Sequence, residues 1–269
     1  MSKATNPNTG RFVWYELLTT DPKAAIQFYS DVVGWKTQPW ETGAYTMWLG
    51  SQGPLGGVSS LPDEAKKMGA PPYWQANVEV ADVDRAVSLV KERGGKVLFG
   101  PLDVPKIGRM AVIADPQGAA IAMVALESDM PAHDTSKGGE FSWNELYTTD
   151  HEAAFRFYEE LFGWERLDEF DMGPMGKYLL WGRDGGQGKK QLGGMMTMPP
   201  GMKTPDGRSI PPSWMHYVTT PDFDVALERA KKRDARVLNG PMDVPGGQRI
   251  VQLMDPQGAA FALVTPPKT

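Results

Sequence analysis

The chain has no cysteine and only three histidines among its 269 residues. Without thiols there is no disulfide framework and no thiolate metal site. No apolar run approaches the roughly 20 residues that a membrane span needs. The opening segment MSKATNPNTGRF has no apolar core of the kind a secretory signal carries. Neither charge sign is in large excess. A formal net charge of -5 gives no electrostatic reason to expect nucleic acid or an anionic membrane surface as partner. No GxSxG segment follows a strand-like run, which removes the nucleophile-elbow hydrolases. The remaining expectation is a cytoplasmic protein.

An internal repeat is present. WYELLTTD (14–21) returns as WNELYTTD (143–150), and FYSDVVGW (28–35) returns as FYEELFGW (157–164), both at an offset of 129. Further along the offset is 140: PPYW (71–74) matches PPSW (211–214), GPLDVP (100–105) matches GPMDVP (240–245), and DPQGAAIA (115–122) matches DPQGAAFA (255–262). Collinear matches of this density establish a duplication. It places a first domain over 1–127, a polar linker over 128–139 and a second domain over 140–269, each long enough to bury its own core.

A shorter repeat lies inside each half. Apolar residues recur at helical spacing after Asp21, Asp82, Asp150 and Asp222, as in Ala25/Phe28/Tyr29/Val32. An aspartate there can satisfy free N–H groups of the first turn. Gly34, Gly94 and Gly163 offer left-handed stops; the fourth helix, after Lys232, has no comparable stop. Each helix follows a strand-like run (FVWYELL, WQANVEV, FSWNELY, WMHYVTT) and precedes others punctuated by Gly and Pro. The expected fold is therefore α+β, a strand–helix–strands unit repeated four times.

Four βαβββ units, with "TTD" before the helix, "FY…GW" along it and a late "DPxG", resemble the vicinal oxygen chelate (glyoxalase/bleomycin resistance/dioxygenase) superfamily over about residues 10–265. The resemblance implies two tandem domains built on cupped sheets. It does not fix a reaction, because such folds host both enzymes and purely sequestering proteins. Metal-dependent members carry a His on the first strand, seven residues before the helix-capping aspartate, and a Glu on the last strand, four residues after the Gly of DPxG. Carried onto this chain, these positions are Trp14, Gln75, Trp143 and Met215 on opening strands, and Ala122 and Ala262 on closing strands. Imidazole and carboxylate donors are missing from all six. The resemblance therefore implies an emptied metal site, and no metal or cofactor is expected.

Glu16 and Glu145 lie two residues beyond Trp14 and Trp143, so each Glu shares a strand face with a Trp. A carboxylate beside an indole loses water, and its pKa rises toward the range of a general base. Pairing with a nearby arginine is the plainer alternative. Arg109 and Arg249 match at the 140 offset and are candidates for holding an anionic group, or for pairing with Glu16 and Glu145. Eight of nine tryptophans recur in pairs (14/143, 35/164, 48/181, 74/214). Trp14, Trp143, Trp48 and Trp181 are candidates for an aromatic pocket, with core packing as the alternative. His133 falls in the linker. His151 opens a helix, where its cation is disfavoured and solvation is expected. His216, one residue past Met215, is a further candidate, although that offset turns it to the opposite face.

Two functions stay open. One is a binding module whose metal-free, Trp-lined cleft holds a small organic molecule without turning it over. The other is an enzyme acting on a small oxygenated metabolite with Glu16 or Glu145 as base, or with a metal site built from other residues. Duplication can internalise the pairing of single-domain relatives, so a monomer or homodimer is expected.

Overall fold

The computed structural model describes residues 8–267 except 42–44, 68, 185–188, 200, 202, 204–206, 208 and 209. The first half runs β1 (Phe12–Thr19), α1 (Pro22–Val32), β2 (Lys36–Pro39), β3 (Thr46–Gly50), β4 (Gly53–Ser60), α2 (Asp63–Lys67), β5 (Tyr73–Glu79), α3 (Val83–Glu92), β6 (Lys96–Val104), β7 (Gly108–Ala114) and β8 (Ala120–Leu126). The second repeats it as β9 (Phe141–Thr148), α4 (His151–Phe162), β10 (Glu165–Asp171), β11 (Lys177–Asp184), β12 (Lys189–Thr197), β13 (Ser213–Thr219), α5 (Phe223–Lys232), β14 (Arg236–Asp243), β15 (Arg249–Met254) and β16 (Ala260–Val264). Each half forms one eight-stranded mixed sheet, in the orders β2-β3-β4-β1-β5-β8-β7-β6 and β10-β11-β12-β9-β13-β16-β15-β14. This is the expected α+β architecture of four βαβββ units. No helix among the described residues is long and apolar enough to cross a membrane.

The capping aspartates mostly act as their sequence suggests. Asp21, Asp82 and Asp150 accept hydrogen bonds from the backbone N–H groups of Ala24, Arg85 and Ala153. Asp222 does not: its φ of -92° and ψ of 58° depart from the extended caps at Asp82 and Asp150, and its side chain makes no cap bond. The missing fourth stop is supplied by Asp234, which takes the left-handed conformation itself at φ 63°. Short polar side chains tolerate that region better than others.

Packing does not follow the halves. One compact unit comprises Met1–Val13, Ala76–Met130 and Asn144–Trp214; the other comprises Trp14–Gln75, Pro131–Trp143 and Met215–Thr269. Each unit thus holds one βαβββ repeat from each half, and the repeated motifs are what join them. In one unit Asp115 Oδ1, of the first DPQG, accepts the backbone N–H groups of Gln117, Gly118 and Ala119 at 2.7–2.9 Å. Its Oδ2 accepts the Tyr158 hydroxyl at 3.0 Å, from the "FY" of the second half. The other unit mirrors this. Asp255 holds the turn of Gln257, Gly258 and Ala259, and accepts the Tyr29 hydroxyl at 3.0 Å. Tyr29 accepts in turn from Trp74 Nε1 at 2.9 Å. Burial raises the pKa of both aspartates, against the lowering effect of these hydrogen bonds.

The paired tryptophans complete these cores. In one unit Trp164 stacks on Trp181 with ring centroids 3.9 Å apart. In the other, Trp48 packs against Tyr29 and Trp35. Trp48 and Trp181 are both completely buried. They therefore belong to the aromatic core and not to a ligand pocket. Each is three residues from a tyrosine at the site described next, and an odd spacing on a strand sends it to the opposite face.

Candidate functional site

On β1, Tyr15 and Leu17 point into the core, while Trp14 and Glu16 occupy the other face and remain half-buried. Glu16 pairs in register with Gly57 of β4. A Cβ at Gly57 would lie 2.0 Å from the Tyr45 hydroxyl, so glycine is required for that phenol to cross the strand beside Glu16. Trp14 Nε1 donates to the Tyr45 oxygen at 2.7 Å, which leaves the Tyr45 proton available to donate. Ser59 Oγ donates to Glu16 Oε1 at 3.2 Å. Glu16 has no other hydrogen-bond partner among the described residues.

Glu16 keeps solvent-accessible surface although protein atoms crowd it on nearly every side. Glu16 is thus half-buried, with its carboxyl largely withdrawn from water. Burial pushes its pKa up, and the Ser59 hydrogen bond only partly offsets this. Tyr45 and Tyr73 have phenol pKa values raised first by burial and then by the charge of Glu16, which places both within its field. Gln75, on the same strand as Tyr73, is buried. Among the described residues no lysine or arginine acts on Glu16, and its surroundings are polar and aromatic.

The equivalent residues of the second half are arranged differently. Glu145 pairs with Gly194, over which Tyr178 lies as Tyr45 lies over Gly57. Here the carboxylate is buried, and each oxygen accepts a phenol: Oε1 from Tyr178 and Oε2 from Tyr147, both at 2.6 Å. Tyr147 occupies the position of Leu18, and Met196 that of Ser59. The tyrosines were missed from sequence, although the signal is there: Tyr45 and Tyr178 recur at the 133 offset that relates Trp48 and Trp181.

The other sequence candidates lie elsewhere. Arg109 binds Asp84 through Nε and Nη2, at 2.8 and 3.0 Å, and Asp103 through Nη1 at 3.0 Å. Arg249 pairs with Asp224 and lies over the Phe223 ring. Each arginine pairs instead with an acidic residue in the first turn of the preceding helix, Asp84 of α3 or Asp224 of α5. His216 is buried against Tyr15 and Phe141, and burial depresses its pKa to about 3. Met215 is buried, and Trp143 half-buried. His151 is not solvated: its backbone N–H and ring Nδ1 both meet Thr197 Oγ1, at 3.0 and 2.8 Å. His133 Nδ1 lies 2.8 Å from the buried Glu140 carboxylate.

The residues at the metal positions carried over from the resemblance do not fit a divalent ion. Trp14 Nε1 is a donor already engaged by Tyr45. Ala122 is flanked in register by Asn77 and Val112. Ala262 is flanked by Tyr217 and Gln252, and Gln252 Nε2 donates to the Tyr217 hydroxyl at 2.6 Å. Among the described residues one trio, His151, Glu152 and Glu169, brings potential ligand atoms within 4.8 Å of one another. Its carboxylates are already engaged by Arg166 and Lys177.

Comparison with known proteins places this geometry in a family. The profile of the Glyoxalase/Bleomycin resistance protein/Dioxygenase superfamily matches residues 11–123 and 141–263. CFP32 of Mycobacterium tuberculosis, provisionally named a glyoxylase, is 31% identical over 272 residues, covering 99% of this chain and 98% of its own. The anthracycline biosynthesis protein DauV of Streptomyces sp. (strain C5) is 28% identical over 268 residues, covering 95% of this chain and 93% of its own. Among solved structures, the 2,3-dioxygenase LapB of Pseudomonas sp. KL28 superposes with a TM-score of 0.63 at 12% identity, covering 97% of this chain and 94% of LapB.

Proposed function

The chain belongs to the Glyoxalase/Bleomycin resistance protein/Dioxygenase superfamily, and we propose that it holds a small, neutral, oxygen-bearing organic molecule in a recess floored by Glu16. The observation that carries this reading is the donor set. A carboxyl group with one weak partner among the described residues lies within electrostatic reach of the phenols of Tyr45 and Tyr73, and no described lysine or arginine acts on it. An anionic ligand would face a carboxylate with nothing to neutralise either charge. A neutral molecule can donate a hydroxyl proton to Glu16 and accept the Tyr45 proton at a carbonyl or second hydroxyl. The indole of Trp14 offers a flat surface for an aromatic or conjugated ligand. The similarity to an anthracycline biosynthesis protein is in keeping with that ligand chemistry.

The raised pKa of Glu16 supports a second reading, in which the same carboxylate takes a proton from the bound molecule as general base. One experiment separates the two. The full chain is titrated with 2,3-dihydroxynaphthalene, a neutral flat diol, by calorimetry, and the mixture is then analysed for product. Saturable binding with no product, weakened roughly ten- to a hundredfold in Glu16→Gln by loss of a charge-assisted hydrogen bond, is the expected result. Product that disappears in Glu16→Gln favours the base. Binding that Glu16→Gln leaves unchanged overturns both. Elemental analysis of untagged, chelator-free protein adds an independent check: one tightly held divalent ion per half would overturn the reading of the ligand positions.

A further inference from the structure

We infer that the two halves have separate fates, with the first-half recess receiving the ligand and the equivalent place in the second half closed from within by a Tyr147–Glu145–Tyr178 clamp. The inference rests on the function proposed above and adds that there is one such site per chain, and which one it is.

Four paired positions carry it. Leu18 corresponds to Tyr147, Ser59 to Met196, Tyr73 to Ser213 and Gln75 to Met215. Leu18 has no donor, so the second oxygen of Glu16 has no protein partner among the described residues, and Ser59 supplies one long bond at 3.2 Å to the first. In the second half the exchange of Leu for Tyr brings a phenol two residues along the same strand face, onto the carboxylate it flanks. Both oxygens of Glu145 then accept short bonds of 2.6 Å, in the range of strong charge-assisted hydrogen bonds. A ligand hydroxyl could reach Glu145 only by displacing a phenol already held there. The exposure agrees: Glu16 keeps accessible surface, whereas Glu145 is 6% exposed. The remaining exchanges, Tyr73 for Ser213 and Gln75 for Met215, leave the second half with smaller or less polar groups at the places where the first half has a phenol and an amide.

The tyrosine clamp also accounts for a glutamate in the second half without a ligand. A buried carboxylate is costly unless its oxygens are hydrogen-bonded. Two phenols hydrogen-bond its oxygens, which gives Glu145 a structural role.

Two measurements on the full chain test this. In the calorimetric titration with 2,3-dihydroxynaphthalene, one site per chain is expected, weakened roughly ten- to a hundredfold in Glu16→Gln and unchanged in Glu145→Gln. The double variant Tyr147→Leu/Met196→Ser installs the first-half residues and should bring a second site. Two equivalent wild-type sites, or one site lost in Glu145→Gln and kept in Glu16→Gln, would overturn the inference and leave the small-molecule reading standing. The second measurement needs no ligand. Carbodiimide coupling of glycine ethyl ester, read residue by residue by mass spectrometry, should modify Glu16 at least tenfold faster than Glu145, with Glu145 gaining reactivity in Tyr147→Leu. Equal reactivity overturns the clamp whatever the titration gives. The expected asymmetry without any diol binding would retain the clamp and sink the ligand reading.

Discussion

His216 provides a test of the fold that does not depend on any ligand. Its ring is 1% exposed, with the Tyr15 ring 5.2 Å away edge-on and Phe141 beyond it. Burial lowers its pKa from 6.5 to about 3. In the unfolded chain the imidazole titrates near its ordinary value, so between those two pKa values the unfolded state binds the extra proton. Stability therefore falls as pH drops through this window and is insensitive to His216 above it. At about pH 5, one and a half units below the unfolded pKa, the loss is about 2 kcal/mol relative to about pH 8. The perturbation is His216→Leu, read by urea unfolding of both proteins at the two pH values. Whatever the substitution costs in packing is present at both and cancels. The raised pKa values of Glu16, Asp115 and Asp255 act with the opposite sign, favouring the folded state as pH falls, and cancel between the two proteins. The variant should lose about 2 kcal/mol less stability on acidification than the parent. Equal losses would mean that the imidazole takes up its proton in the folded state, and the buried placement would be refuted.

The reciprocal Tyr–Asp locks should be of similar strength. Tyr158→Phe and Tyr29→Phe each remove a hydrogen bond to a buried carboxylate, a cost of about 1.5–3 kcal/mol, and each also takes an acceptor from a buried indole, Trp214 or Trp74. Thermal unfolding reads the cost, at about 2–4 °C per kcal/mol for a chain near this size; a Tyr158→Phe protein within about 0.5 kcal/mol of the parent would contradict the lock. Gly57→Ala puts a methyl 2.0 Å from the Tyr45 oxygen and should expel the phenol at a cost of about 1–3 kcal/mol. Loss of the Trp14–Tyr45 hydrogen bond should shift tryptophan fluorescence, and an unshifted spectrum with unchanged stability would show that Tyr45 does not cross Gly57.

The fold was legible because its signals are periodic and duplicated. The stripe Ala25/Phe28/Tyr29/Val32 after Asp21 can be satisfied only by a helix lying on a core, and α1 buries those four residues. Asp222 misled because a capping residue type does not guarantee extended dihedrals. The site was legible in part. Period two puts Glu16 on the face of Trp14, but cannot say which distant side chain crosses to meet it; Tyr45 arrives over Gly57 only through the register of β3 on β4. The arginines misled for a related reason. Equal spacing in the two halves identifies Arg109 and Arg249 as structural equivalents, yet their partners are Asp84 and Asp224, another pair at the 140 offset. The same repeat accommodates a surface ion pair as readily as a ligand contact.

Duplication places unequal demands on the residues it copies. Tyr29 serves Asp255 and Tyr158 serves Asp115, so each "FY" and each DPQG is needed by the half that does not contain it. Neither copy of these motifs can be lost without exposing a buried partner in the other half. Trp35 and Trp164 are in the same position, donating to Gly139 and Gly10 outside their own repeat. Residues on the opposite strand face have no such reciprocal duty. Once one copy of Glu, Tyr and Ser suffices for a ligand, the second can replace Ser59 by Met196 and Leu18 by Tyr147 without disturbing either lock. Identity between the halves is strict at the locks, whereas around Glu16 and Glu145 the Trp, Tyr and Gly are kept and Leu18, Ser59, Tyr73 and Gln75 are exchanged, a pattern that a scaffold needing two copies and a site needing one would leave behind.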